Sequence, residues 1–142
     1  MSSSSTDYTL GIGGATTVDV LSVNSGNASV NLENGYSGTE PTITLTTGIS
    51  VIISISANIK DPTKTATTGF MSFVVSGASS IAASDANSIS AGLSTSSETG
   101  SVSRTFKLTN LKSGLNTFTA VYKVVGGTAA TFSNRDIVVF PL

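Results

Sequence analysis

Residues 114–142, GLNTFTAVYKVVGGTAATFSNRDIVVFPL, hold the reading that decides the fold. Four of the chain's nine aromatic residues sit here: Phe118, Tyr122, Phe132 and Phe140. From Leu115 to Val125 the residues alternate, so that Phe118, Ala120, Tyr122 and Val124 share one side. A period of two marks a strand with one face in a core; a helix would scatter the same residues around its circumference. Gly126-Gly127 supplies a turn. Thr128–Phe132 and Asp136–Phe140 then read as closing strands, with Ile137 and Val139 on one face and Val138 and Phe140 on the other. This stretch is expected at the centre of the sheet.

The same period recurs upstream. Ile49, Val51, Ile53, Ile55, Ala57 and Ile59 alternate with residues that are mostly Ser and Asn, and β-branched types dominate. That strand should stop at Lys60-Asp61-Pro62, because proline cannot donate to a ladder. Thr42–Thr46 is a shorter strand. Gly69–Ser76 is apolar on both sides: Phe70 and Val74 on one, Met71, Phe73 and Val75 on the other. It is therefore a central strand, or one whose second face meets a neighbour. In Ser101–Thr109, Arg104 shares a face with Val102, Phe106 and Leu108, so it snorkels at the strand end or pairs with a carboxylate. Ser79–Ser97 reads mainly as loop, with a short strand near Ser88–Leu93. Val18 and Val20, then Val30 and Leu32, read as a polar edge hairpin around a turn at 24–27. Gly-rich residues 10–15 form a turn, not a phosphate cradle, since the glycine spacing and the flanking strand and helix are missing. Residues 1–15 form a Ser- and Gly-rich arm that needs its own domain, a sister subunit or a partner to hold it. Residues 16–142 form one domain. Eight or nine short strands without a convincing helix predict an antiparallel β-sandwich of jelly-roll type, with an immunoglobulin-like sandwich as the alternative.

Composition narrows the function. The 142 residues contain no Cys and no His, which removes thiolate metal sites, disulfides and the commonest general base. Only 11% of residues are charged and the formal net charge is −1. Soluble domains usually carry about 25% charged residues. A surface of Ser, Thr, Asn and Gly hydrogen-bonds well and repels itself weakly, which suits life in an assembly. The seven Lys and Arg are scattered, so no nucleic-acid partner is expected. No apolar run approaches the roughly 18 residues of a membrane span, so no membrane partner is expected either. The start of the chain lacks the basic and apolar regions of a signal peptide, which implies synthesis in a cytoplasm.

No enzymatic constellation stands out, and no cofactor is expected. The acids fall mostly in loops and at strand ends. The serines lack a His or a Ser-x-x-Lys partner. Asp85 and Asn87 give a spacing that calcium could use, without the further ligands of a calcium loop. Asn134-Arg135-Asp136 is the one charged cluster near the core strands. Arg135 serves either as a recognition residue for a carboxylate or in an ion pair within the sheet or between subunits.

Two segments together resemble a pattern found in phage and phage-associated virion proteins. One runs Gly69, Met71, Ser72, Phe73, Val75, Ser76, Gly77, Ala78 and then Ala82, Ala83, Ser84, Asp85. The other runs from Asn116-Thr117-Phe118-Thr119 through Tyr122, Val124, Gly126-Gly127-Thr128, Phe132, Asn134-Arg135, Ile137 and Val139 to Pro141-Leu142. The resemblance covers roughly the C-terminal half. It implies a small jelly-roll module, similar in outline to C1q- and TNF-like trimers, that decorates capsids or sits on fibres. Asp136 departs from the pattern, where relatives often carry a second Arg.

The resemblance and the composition lead to one expectation. The chain is a decoration or cement protein of a tailed-phage head, bound to the major capsid protein on the capsid surface and assembled with itself as a trimer. A receptor- or glycan-binding head of a tail fibre is the alternative. The interface candidates are Ser2, Ser3, Ser4, Ser5 and Tyr8 of the arm, with Phe70, Phe73, Arg135, Val138, Phe140 and Leu142.

Overall fold

A computed structural model describes residues 4–10, 16–23, 28–31, 35–60, 67–93, 99–126 and 129–142. Among the described residues ten strands form two antiparallel sheets. The larger sheet holds β1 (Ser4–Leu10), β2 (Thr16–Val23), β3 (Ala28–Asn31), β5 (Val51–Lys60), β8 (Thr99–Leu108) and β10 (Ala129–Pro141). Its order is β1-β2-β10-β5-β8, and β3 also pairs with β10. The smaller sheet holds β4 (Thr42–Thr47), β6 (Thr67–Gly77), β7 (Ile89–Leu93) and β9 (Gly114–Val125) in the order β4-β9-β6-β7.

The connections identify the sandwich type. From β3 onward the chain changes sheet at every step except β6 to β7. An immunoglobulin-type sandwich keeps more of its consecutive strands together in one sheet. The alternation seen here is the wrapping of a jelly roll, in agreement with the primary reading of the sequence.

Four local readings change. The expected edge hairpin does not form: β2 pairs with residues 135–137 of β10 and β3 with residues 129–132, so both line one edge of that long strand. The Gly126 turn leads from one sheet to the other, since β9 and β10 lie in different sheets. The two closing strands are one continuous β10. Ile49 lies outside β5 and is 63% exposed. The stretch Ser4–Leu10, read as an arm needing support, pairs with β2 over seven residues. The turns at 11–15 and 24–27, the second turn glycine at 127 and the Asp61-Pro62 strand break lie outside the described residues.

The core forms where the inner faces meet. Val51, Ile53, Ile55, Ala57 and Ile59 of β5 are all buried. They face Met71, Phe73 and Val75 of β6 and Phe118, Ala120, Tyr122 and Val124 of β9. Phe73 meets Phe106 edge-on at 5.8 Å, and Tyr122 meets Phe132 at 4.7 Å, both within the favourable range for aromatic pairs. Gly69 keeps one spot open: a Cβ there would stand 2.7 Å from the Ile59 side chain and 3.2 Å from Phe132.

A β-bulge sets the phase of β10. Ser133 pairs with Asn58 and Asp136 with Ser56, so Asn134 and Arg135 both stand opposite Ala57. Asn134 is left-handed, with φ 47°. Asparagine tolerates that region better than most residues. Without the extra residue, Phe132 and Ile137 would point to opposite faces. With it, Phe132, Arg135, Ile137 and Val139 all point inward and are buried.

Two outcomes follow for equilibrium urea unfolding. Asn134→Gly should hold wild-type stability, whereas Asn134→Val should lose about 1–2 kcal/mol, since a β-branched side chain is strained there. Phe73→Ala should lose about 3–5 kcal/mol through the cavity it leaves.

Candidate interaction surface

Each sheet presents an outer face. On the larger sheet that face is graded along its length. At one end Ile52, Val138 and Phe140 are half-buried, with Phe140 in register with Ile52 and Val138 with Ser54. Leu142 beside them is 39% exposed, and its N–H donates to the Ser50 carbonyl at 3.1 Å. Toward the other end the side chains become small and polar. Thr105 donates to Ser54 at 3.3 Å and Ser101 donates to the Asn58 Oδ1 at 2.7 Å.

The smaller sheet carries Phe70 and Val74 on its outer face, both half-buried. Thr42 and Thr119 hydrogen-bond at 3.0 Å, and Thr44 and Thr117 at 2.7 Å, tying β4 to β9. Ser72 lies beneath the segment that follows β6, donating to the carbonyls of Asn87 at 2.7 Å and Ser84 at 3.2 Å. Lys123 stands 4.6 Å from the Phe70 ring and 4.8 Å from the Tyr36 ring, and pairs with the Asp85 carboxylate. Tyr36 donates to the same oxygen at 2.7 Å. Hydrogen bonds from Lys123 and Tyr36 hold the Asp85 carboxyl below its usual range. Burial, and then the Asp85 hydrogen bond, raise the Tyr36 phenol well above the ordinary tyrosine value. The Asp85 side chain, a calcium candidate on spacing alone, thus serves as an anchor between loop and sheet. Among the described residues no three acids gather to hold an ion.

The remaining candidates separate. Phe73 is fully buried in the chain's own core. Ser4, Ser5 and Tyr8 belong to β1, the end strand of the larger sheet; Ser2 and Ser3 lie outside the described residues. Arg135 is 6% exposed and packs between the sheets. Its Nη1 donates to the Tyr122 hydroxyl at 3.1 Å and to the Glu40 carbonyl at 3.2 Å, and its guanidinium lies 5.4 Å from the Tyr122 ring. Tyr122 in turn donates to the Glu40 carbonyl at 2.7 Å. Among the described residues no carboxylate pairs with Arg135 and its Nε has no partner. A cation so placed is held by carbonyl and ring dipoles. Arg104 takes the snorkelling option: it lies 4.3 Å from the Phe106 ring and donates to the carbonyls of Ala86 at 3.1 Å and Ser88 at 3.3 Å.

Two buried polar sites went unnoticed in the sequence. Asn116, with no exposure, donates to Thr47 at 2.8 Å and to the Lys112 carbonyl at 3.0 Å, and accepts from the Ser79 N–H at 2.8 Å. Its signal was parity, because it shares the inward row of Phe118 and Tyr122. The Glu40–Tyr122–Arg135 set had no such signal: Glu40 lies 82 residues from Tyr122 and 95 from Arg135.

No protein-family model and no curated protein sequence matches this chain. Among solved structures, a chain in the structure of infectious bursal disease virus, Gx strain, matches 94% of this chain with a TM-score of 0.57 and 11% sequence identity. The match spans 37% of that viral chain, so this chain corresponds to just over a third of its neighbour. At this identity the likeness is one of fold.

The Arg135 network makes a prediction at high pH. Burial pushes the Tyr122 phenol up to about 12, against the opposing pull of Arg135. In the unfolded chain it ionises near 10.0. Its contribution to stability is therefore whole below pH 10 and is lost as pH rises toward 12. Tyr122→Phe should flatten part of that alkaline decline, Tyr36 supplying another part. At pH 7 the same variant should lose about 1–3 kcal/mol, because Arg135 and the Glu40 carbonyl lose a buried partner. Urea unfolding from pH 7 to 11.5 measures both effects.

Proposed function

We propose that this protein is a structural virion component: a decoration or cement protein that binds the outer surface of a tailed-phage head and stabilises it. Its partners are the major capsid protein and further copies of itself in a trimer. The observation that carries this reading is the fold likeness, over 94% of the chain, to a chain of a virus structure. The low charge supports it, since a surface of hydroxyls and amides loses little when packed against protein.

The placement of the apolar residues fits the trimer. Val138 and Phe140 lie on one outside of the sandwich, and Phe70 and Val74 on the opposite outside. A two-fold contact would use one of these faces twice and leave the other bare. A head-to-tail contact joins one face to the other and closes into a ring when the rotation allows. β1, as an end strand, offers an edge along which a neighbouring capsomer's strand can add.

Purified protein added to heads that lack it should bind them and raise their melting temperature. Binding to cells, with heads ignored, contradicts the proposal. Phe140→Ser should weaken head binding by about tenfold or more, the loss of roughly 1.4 kcal/mol or more of contact. Its own unfolding midpoint should move little, because Phe140 is only half-buried in the isolated chain. Wild-type binding by Phe140→Ser would exclude this face from the contact.

A further inference from the structure

The polar end of the larger sheet's outer face contains an open depression of about 230 Å³. Ser56 and Asn58 of β5, Ser101 and Ser103 of β8, and Asn134 at the β10 bulge supply its polar lining. We propose that this depression is a binding site for a neutral saccharide. The inference stands apart from the virion reading and holds whatever particle carries the chain.

Three observations carry it. The first is the chemistry of the lining. Among the described residues no charged side chain lines the depression, so an ionic ligand would find no counter-charge there; Ala57 and Val102 complete the lining, and a wholly apolar ligand would strand the hydroxyls and amides around them. Serine hydroxyls and asparagine amides offer donors and acceptors side by side, which is what the vicinal hydroxyls of a sugar require. The Ser101 hydroxyl donates to the Asn58 Oδ1 at 2.7 Å, so a hydroxyl and an amide already stand side by side on the lining.

The second is the size. Pockets for drug-sized ligands begin near ~300 Å³, and this depression is smaller and open, the dimension of a single sugar ring. It exists because the side chains shrink along the face, from Ile52 and Lys107 at one end to Ser56, Ser101 and Ser103 at the other.

The third is the backbone. Asn134 is the one non-glycine residue with positive φ among the described residues, and it sits on the rim. Strained residues and bulges concentrate where a side chain must be aimed. The bulge here turns Arg135 into the core and leaves the exposed Asn134 amide beside the depression.

The test is a titration of the ¹⁵N-labelled full chain, followed by NMR, with the methyl glycosides of glucose, galactose, mannose and N-acetylglucosamine. At least one should give saturable shifts at the backbone amides of Asn58, Ser101, Ser103 and Asn134, with a Kd on the order of 1 mM. Asn134→Gly keeps the left-handed backbone and removes the amide; it should weaken binding by about tenfold, a loss of roughly 1.4 kcal/mol. Ser103→Phe fills the depression and should abolish binding, with unchanged melting temperatures showing that both variants are folded. The proposal is overturned by an absence of saturable shifts up to roughly 50 mM of every glycoside, a range well above the Kd expected of such a site. It is equally overturned if the shifts map to another surface, or if either folded variant binds as tightly as the wild type.

Discussion

The extra residue in β10 is the constraint on which the rest of the structure leans. This strand pairs with β2 and β3 on one side and β5 on the other, so its phase sets the larger sheet. With Asn134 left-handed and two residues opposite Ala57, Ile137 and Val139 reach the core while Val138 and Phe140 are left outside. The same step sends Arg135 inward, where it meets Tyr122 and the Glu40 carbonyl. One backbone irregularity thus positions a core row, a buried cation and an outer apolar face.

The buried cation has a structural cost and a structural return. Removing a guanidinium from water is expensive unless its donors find acceptors. Here two contacts come from Nη1, and a ring face adds a third. In return the segment before β4 is pinned across β9: Ser37 and Tyr122 exchange backbone hydrogen bonds at 2.8 and 2.9 Å, and the Ala120 N–H donates to the Pro41 carbonyl at 2.9 Å. On the outside, Lys123 and Asp85 bind the loops to the smaller sheet. The loops of this sandwich are held by polar contacts at fixed points, and the strands by the apolar core.

Much of this was legible in the sequence. Period-two alternation marked β5, β8 and β9 and assigned their inward rows, because a half-buried strand leaves that imprint directly; β6, apolar on both sides, was marked as a strand without an inward row. The jelly roll followed from strand number and spacing. Pairing was less visible, since alternation says which face a strand buries and nothing about which strand lies beside it. That is why β2 and β3 read as a hairpin, and why the Gly126 turn gave no sign of crossing between sheets. The bulge did leave a trace: Phe132 and Ile137 are an odd number of residues apart, so both can face the core only if one residue is extra. Arg135 read as a recognition residue or a member of an ion pair; its contact with a backbone carbonyl left no trace, because Glu40 lies 95 residues away. Phe73 was grouped with possible contact residues; the row it shares with Met71 and Val75 is the one that packs in the core.

These features describe a module whose stability comes from its own core and whose outer faces are largely uncharged and partly apolar. Such a surface favours close packing against protein, the circumstance of a shell component. The most direct measurement of the proposed role is a cryo-electron-microscopy reconstruction of a phage particle prepared with this protein. The account predicts jelly-roll density on the outer surface of the head, in groups of three around local symmetry axes, with the Phe140 face against a neighbour. Density for the sandwich at the tail alone, with the head surface bare, would contradict it.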